Sequence, residues 1–289
     1  MMEGKESPDR PVAEEGSSSA PSILVPRPRD GLGVARRYAP PLLLILLVLG
    51  IWQVLTWALS VPKWLLPSPW QIVVAGVEAR GLLGLHTWQT LKETWLGLGL
   101  AVLVGLGLAL VIDFSGLLRR TVYPLLVASQ TVPILALAPL LIIWFGYGML
   151  PKVIVVALVC FFPIVVSTAD GLRVADPDLM ALLRAMGANR RQIFFKVRVP
   201  GALPSFFSGL KIAITYSVVG AVIGEWVGAS QGLGIFMIRS SKNFLTDRVF
   251  AAIAVTSLLS IVMFGGVMLL ERSLLPWYHA RREEIWEEV

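Results

Sequence analysis

Charge is what this chain of 289 residues has least of. Asp, Glu, Lys and Arg together make up 15% of it, against 56% hydrophobic residues. A water-soluble domain of similar length carries about a quarter charged residues, so a soluble globular fold is excluded. Cysteine is nearly absent. The lone Cys160 stands inside an apolar run, which excludes a disulfide framework or a thiolate metal site and reads as a small buried hydrophobe. The two histidines, His86 and His279, have no metal-ligand or triad spacing around them. No G-x-x-x-x-G-K-[ST] run occurs, so there is no P-loop to hold a nucleotide and no cofactor motif. Acids are not threaded through the apolar runs, as a carrier with its own coupling ion would require. No nucleophile–base set supports a membrane enzyme. The net charge of +6 comes without a dense basic and aromatic patch, which argues against nucleic acid as a partner.

What the chain has instead is uncharged stretches of about 20 residues, the length a helix needs to cross a bilayer. The hydropathy predicts an all-α integral membrane protein with six transmembrane helices, near 38–60, 88–112, 121–146, 151–171, 205–228 and 249–272. Residues 1–35 are rich in Ser, Pro, Glu and Gly and are expected to form a disordered cytoplasmic tail. Residues 36–278 are expected to form the six-span domain, and 279–289 a short cytoplasmic tail. No short apolar stretch with a small-residue cleavage site heads the chain, so the first apolar run reads as an anchor that stays. An amphipathic connector, 62–87, joins the first two spans, and a loop over 229–248 holding Gly232-Leu233-Gly234 joins the last two.

With the N-terminus inside, seventeen of the 25 Lys and Arg fall on the inner side. Six fall outside (Lys63, Arg80, Lys152, Arg239, Lys242 and Arg248), and Lys92 and Lys211 lie in spans. The positive-inside bias therefore places both termini and the 172–204 segment in the cytoplasm. Small residues recur every four positions at Gly97, Ala101, Gly105 and Ala109, and again at Gly220, Gly224 and Gly228. Such rows bring helix backbones close, either within one bundle or between subunits. Pro133, Pro139 and Pro163 interrupt or kink spans three and four; they either line a pathway or are plain structural kinks. Glu225, beside Trp226, is a candidate pathway or gate acid, although near the outer end of span five it could also reach interfacial water. Lys211 is expected to snorkel, and Lys92 and Glu93 to sit at the interface. Trp64, Trp70, Trp88 and Trp277 mark span ends as an interfacial belt.

The remaining polar stretch, 176–204, needs its own reason, since a short loop suffices to join two spans. Asp176-Pro177 supplies an N-cap and a first-turn proline. Leu179, Leu182, Leu183 and Met186 follow at helical spacing on one face. Gly187 breaks the pattern, a second basic and apolar run carries Arg190 and Arg191, and Pro200 and Pro204 are expected to close it. This pattern predicts a helix–glycine–helix built either to be gripped by another protein or to lie on lipid headgroups.

The segment resembles the cytoplasmic signature of binding-protein-dependent ABC importer permeases: E-A-A, three residues, G, nine residues, I-x-L-P. Gly187 takes the glycine place and Val197-Arg198-Val199-Pro200 the last four; Ala181 replaces the acid and Leu182-Leu183 the two alanines. The resemblance runs over roughly 40–278. Gly224-Glu225-Trp226-Val227-Gly228-Ala229, Gly232-Leu233-Gly234, Thr246-Asp247 before Val249-Phe250-Ala251, and Leu270-Glu271-Arg272 are similar to the branch importing nitrate, sulfonates, taurine, thiamine precursors and riboflavin. It implies a type I ABC importer permease fold in a bacterial inner membrane. Its coupling helix lies between spans four and five and docks on a separate ATPase. An extracytoplasmic binding protein delivers cargo, and a second permease copy completes the pathway as a homodimer. By resemblance, Leu179, Leu182, Leu183, Met186 and Gly187 make the ATPase contact, with Arg190, Arg191 and Pro200 around them. Few cations in the spans favour a neutral heteroaromatic cargo, riboflavin or a thiamine pyrimidine precursor. Sulfonate, taurine or nitrate is the second reading, and an ATP-independent carrier the third.

Overall fold

In the computed structural model, residues 31–174 and 176–278 are described, with side chains from residue 39. Among them there are helices and turns and no strand. The expected tails therefore lie almost wholly outside the described residues, except that α1 (Gly31–Ala58) starts a few residues before the expected tail boundary. Residues 31–48 form a unit of their own, whose side chains from Pro40 onward are exposed. The second unit begins at Leu49.

In that unit, α2 (Pro69–Glu78) replaces part of the expected connector. Ser68 and Gln71 form a reciprocal capping box with Pro69 at the first helical position. Then come α3 (Arg80–Phe114), α4 (Gly116–Ser129), α5 (Ile134–Phe145), α6 (Leu150–Gly171), α7 (Pro177–Ala185) and α8 (Arg190–Ile193). A π-helical turn, Phe194–Arg198, leads into α9 (Val199–Trp226), followed by α10 (Leu233–Lys242) and α11 (Thr246–Leu274). Five helical stretches are long and apolar enough to cross a membrane; α4 and α5, bent by 97° at their junction, could together make another.

The core is the packing of α6 against α3 and α9. The small-residue rows explain it. A Cβ on Gly97 would run into Val156, and one on Gly105 would lie 2.9 Å from Ile164 Cγ2, so α3 and α6 run parallel in close contact. Gly209 comes within that range of the Pro163 carbonyl (2.5 Å), and Gly224 faces Lys152, so α9 runs antiparallel to α6. Both rows are consumed inside one chain. Of the two sequence readings, bundle packing is the one the geometry carries.

Two sequence expectations are corrected here. Pro200 and Pro204 do not close the 176–204 segment, because the helix runs unbroken from Arg190 to Trp226. Pro200 falls in the first turn of α9, directly after the wider π turn, where the missing N–H is least costly. Two of the three in-span charges, Lys211 and Glu93, have charge partners inside the chain. Lys211 binds Glu271 at 2.8 Å, and Glu93, fully buried, binds Lys152 Nζ at 2.7 Å. A charge held in hydrocarbon is stabilised by a partner when it cannot reach water.

Candidate functional site

Three places in the second unit collect the residues singled out above. The first is α7 and the turn after it. The Asp176 side chain accepts from Asp178 N at 2.8 Å, Pro177 opens the helix, and Gly187 ends it at φ +85°. That left-handed conformation suits glycine and little else. Asn189 and Gln192 then cap α8 reciprocally. Leu179, Leu182 and Met186 are exposed, Met186 by 75%, and α7 buries no residue at all. Arg190 and Arg191 are exposed on α8, and Arg191 lies over the Phe195 ring. Leu183 departs from the expected face: it is half-buried and lines a cleft with Met186, Ile193 and Val197, under the helical turn. Pro200 is half-buried in α9, away from that exposed stripe.

Arg198 ties this segment to the bundle. Its Nη2 donates to Asp113 Oδ1 at 2.6 Å and to the Leu172 carbonyl at 2.9 Å, and Nε donates to the same carbonyl at 3.1 Å. It thus joins the ends of α3 and α6 to the π turn. The sequence reading missed it; an acid, Asp113, at the end of one apolar run and a lone arginine before another were the available signal.

The second place is the opposite end of α3, α6 and α9, around Glu225. Glu225 is wholly buried, whereas the sequence left open that it reaches interfacial water. Its carboxylate accepts from Thr90 Oγ1 (2.6 Å) and from Gly234 N (2.5 Å). Thr90 Oγ1 accepts from Leu233 N, and His86 Nδ1 from Gly232 N, both at 2.9 Å. His86 is therefore not isolated; His279 lies outside the described residues. The Gly232-Leu233-Gly234 motif has a physical reason here. Gly232 holds φ +133°, a Cβ on it would run into the Glu225 carboxylate, and one on Gly234 would sit 2.5 Å from the Val222 carbonyl. Trp226 beside Glu225 points outward and is 45% exposed.

The third place is a cavity of ≈ 850 Å³ between the α4–α5 break, α6 and α9. Pro133, which caps α5, and Pro163, inside α6, both line it; Pro139 does not. Two of the three prolines predicted to interrupt spans are therefore brought to one cavity. Pro163 lacks an N–H, so the Val159 carbonyl loses its usual helical donor, and Val159 lines the same cavity. Non-helical backbone at membrane depth is tolerated where it faces protein or a polar cavity. Gln130, Ser167 and Tyr216 also line it and went unremarked in the sequence, where nothing sets them apart from other polar residues in apolar runs.

The family model described as "binding-protein-dependent transport system inner membrane component" matches residues 97–276. The formylaminopyrimidine transport permease protein ThiX of Halalkalibacterium halodurans is 43% identical over 82% of this chain and 95% of its own length. The riboflavin transport system permease protein RibX of Chloroflexus aurantiacus is 36% identical over 81% of this chain and 88% of its own. Among solved structures, an inward-facing form of the MetNI methionine ABC transporter superposes with a TM-score of 0.57 at 22% identity, covering 67% of this chain and 97% of that one. That likeness shows a shared type I ABC importer permease fold. The chain belongs to the binding-protein-dependent transport system inner membrane component family and is an ABC importer permease, a multi-pass membrane transport subunit and not an enzyme.

Proposed function

We propose that this permease forms the pathway for a small neutral heteroaromatic solute, a formylaminopyrimidine of the thiamine-precursor kind in the first place and riboflavin in the second. The observation that carries the reading is the 43% identity to the formylaminopyrimidine permease, which extends over 82% of this chain. The chain works as a homodimer, takes cargo from an extracytoplasmic binding protein, and is driven by a separate ATPase. The α7–α8 segment is the cytoplasmic coupling helix. Its exposed Leu179, Leu182 and Met186 enter a groove on the ATPase, with Gly187, Arg190 and Arg191 at the edge and Leu183 bracing the turn from beneath. Arg198, bound to Asp113 and the Leu172 carbonyl, passes the movement of that segment to α3 and α6. Both termini are cytoplasmic. Six crossings result because α4–α5 carries the chain from the Asp170 end of α6, where Arg119 binds Asp170, to the Gly228 end of α9, where Tyr147 lies. The bend thus breaks a crossing without reversing it. Glu225, clamped by Thr90 and the Gly232–Gly234 turn, holds the outer gate closed in this arrangement, with Trp226 at its rim.

The test is uptake into proteoliposomes holding the permease, its ATPase and its binding protein. ATP-dependent uptake of formylaminopyrimidine or riboflavin is expected. Leu182→Asp with Met186→Asp should weaken ATPase co-purification about 30-fold, the size of losing one interface hot spot. Uptake of taurine, a sulfonate or nitrate in preference, or solute flux without ATP, would sink the reading.

A further inference from the structure

The Glu225 end of the bundle buries more negative charge than its own cations balance. Glu93 and Glu225 are both wholly buried, and among the described residues Lys152 is the one cation paired with either. Donors reach three of the four carboxyl oxygens. Lys152 Nζ and Gln89 Nε2 both donate to Glu93 Oε1 at 2.7 Å. Thr90 Oγ1 donates to one oxygen of Glu225 and Gly234 N to the other. Glu93 Oε2, fully enclosed, is left with no partner. Yet the Glu93 and Glu225 carboxyl groups lie within hydrogen-bonding contact of each other. Two ionised carboxylates in contact have no hydrogen to share, and away from water their repulsion and the unmet oxygen both carry a penalty.

We propose that Glu93 and Glu225 hold one proton between them, and that opening this end of the bundle releases it. The proton makes a carboxyl O–H on Glu225 that donates to Glu93 Oε2. The orphaned oxygen gains its partner, and Glu93, Glu225 and Lys152 then sum to zero charge. A sodium ion is a poor substitute. The Glu225 oxygens are already taken by Thr90 and Gly234, and Gly232 packs so close that even a Cβ would run into the carboxylate, which leaves no room for the oxygen shell of a hard cation. A water molecule would add no positive charge. The inference rests on the reading of Glu225 as the outer gate and adds what sets that gate. When the Gly232–Gly234 turn parts from α3, water reaches Glu225, and a carboxyl in water is ionised at neutral pH. The closed arrangement therefore binds one proton more than the open one, and a rising outer pH favours opening. The other charged or titratable groups at this end act differently. His86, on α3, accepts from Gly232 N through Nδ1 and is neutral in this arrangement; Arg239, exposed on α10, lies near it. Asp247 and Arg248 open α11, where the Arg248 N–H donates to Asp247. Protonating His86 would break its bond to Gly232 and loosen the same turn, so acid acting there has the opposite sign.

The experiment begins with infrared spectra of the full-length permease in nanodiscs at neutral pH, taken as differences between parent and variant. The parent should show the C=O band of a protonated carboxylic acid. Glu225→Gln and Glu93→Gln should each lose it, because an amide N–H then fills the gap between the two side chains and no excess charge remains. Glu225→Gln has the size and neutrality of the protonated acid, and Glu93→Gln stands in should that variant fail to fold. No band, or a band that both variants keep, overturns the shared proton. So does a Tm that sodium raises at constant ionic strength and Glu225→Gln makes indifferent to sodium, since a cation then occupies the site. The link to opening is read in proteoliposomes holding the permease, its ATPase and its binding protein, with only the outer pH varied. Uptake by the parent should rise with outer pH by up to about 10-fold per unit, one proton's worth. Glu225→Gln should abolish that rise and His86→Asn should keep it; the reverse pattern assigns the pH dependence to the histidine and overturns the link. A band with uptake that ignores outer pH keeps the proton and removes Glu225 as the gate. A rise that Glu225→Gln abolishes, without any band, keeps the gate and removes the proton. The band needs no cargo, so a failure of import leaves that half of the result standing.

Discussion

The α3–α6–α9 bundle and the α7–α8 segment use similar residues and reach opposite ends. In the bundle, glycines carry the packing: Gly97 and Gly105 admit α6, and Gly209, Gly220 and Gly224 admit it from the other side. Its buried acids are met by partners in the chain, Glu93 by Lys152 and Glu225 by Thr90 and the Gly234 N–H. In α7, Leu179 and Leu182 stay exposed among the described residues, with only Leu183 half-buried, and Gly187 serves to end the helix. The bundle is finished by intrachain contacts; the α7 stripe is complete as a helix and incomplete as a surface. Exposure by itself says little in a membrane protein, since lipid covers most apolar side chains. The exposed leucines of α7 differ because they follow a capped polar break and stand among Arg184, Arg190 and Arg191.

The largest expected effect tests whether the bundle is as fully paired as its geometry indicates. Lys152→Met leaves the buried Glu93 carboxylate, already with one oxygen lacking a partner, without its cation. Removing one member of a buried pair costs about 3–5 kcal/mol. The thermal melt of the purified permease should drop strongly, and Lys152→Met with Glu93→Gln should recover most of the loss. A single variant that melts like the parent would mean water or lipid headgroups reach the pair, and the contrast with α7 would weaken.

A smaller effect separates glycines that pack from glycines that merely occur. Gly97→Ala puts a methyl group into Val156 and close to the Val153 carbonyl, whereas a Cβ on Gly99, two residues on, meets nothing within 4 Å. Overpacking of this kind costs about 1–3 kcal/mol. Gly97→Ala should therefore lower Tm by several degrees, while Gly99→Ala leaves it unchanged or raises it slightly through helix propensity. Equal melts for the two would return the Gly97 row to the subunit interface.

Much of this was legible in the sequence, for reasons that particular residues show. Run lengths near 20 residues reveal spans because lipid imposes that length, and Asp176-Pro177 and Gly187 reveal α7 because caps are local chemistry. Partners across the bundle were not legible. Glu93 and Lys152, or His86 and Gly232, are brought together by helix packing, and no local pattern records which helices touch. The same holds for Pro200. Its neighbourhood reads as a helix end, and only the π turn before it lets the helix continue. Gln130, Ser167 and Tyr216 come from three helical regions, so no single stretch of chain carries their convergence.

The smallest effect joins the two regions. α7 has nine residues and buries none, so its helicity depends on its ends. Asp176→Ala removes the 2.8 Å bond to Asp178 N, and loss of such a cap costs about 1 kcal/mol. In α7 that lowers the helical population about 5-fold without touching a bundle contact. ATPase affinity should fall by up to about 5-fold through lost preorganisation, with Tm unmoved, and Asp176→Ser should restore it because serine caps as well. A Tm that fell along with the affinity would show α7 melting together with α3, α6 and α9. The segment would then be an extension of the bundle, held by Arg198, and its exposed leucines would have to be explained by that rigidity as well as by a waiting partner.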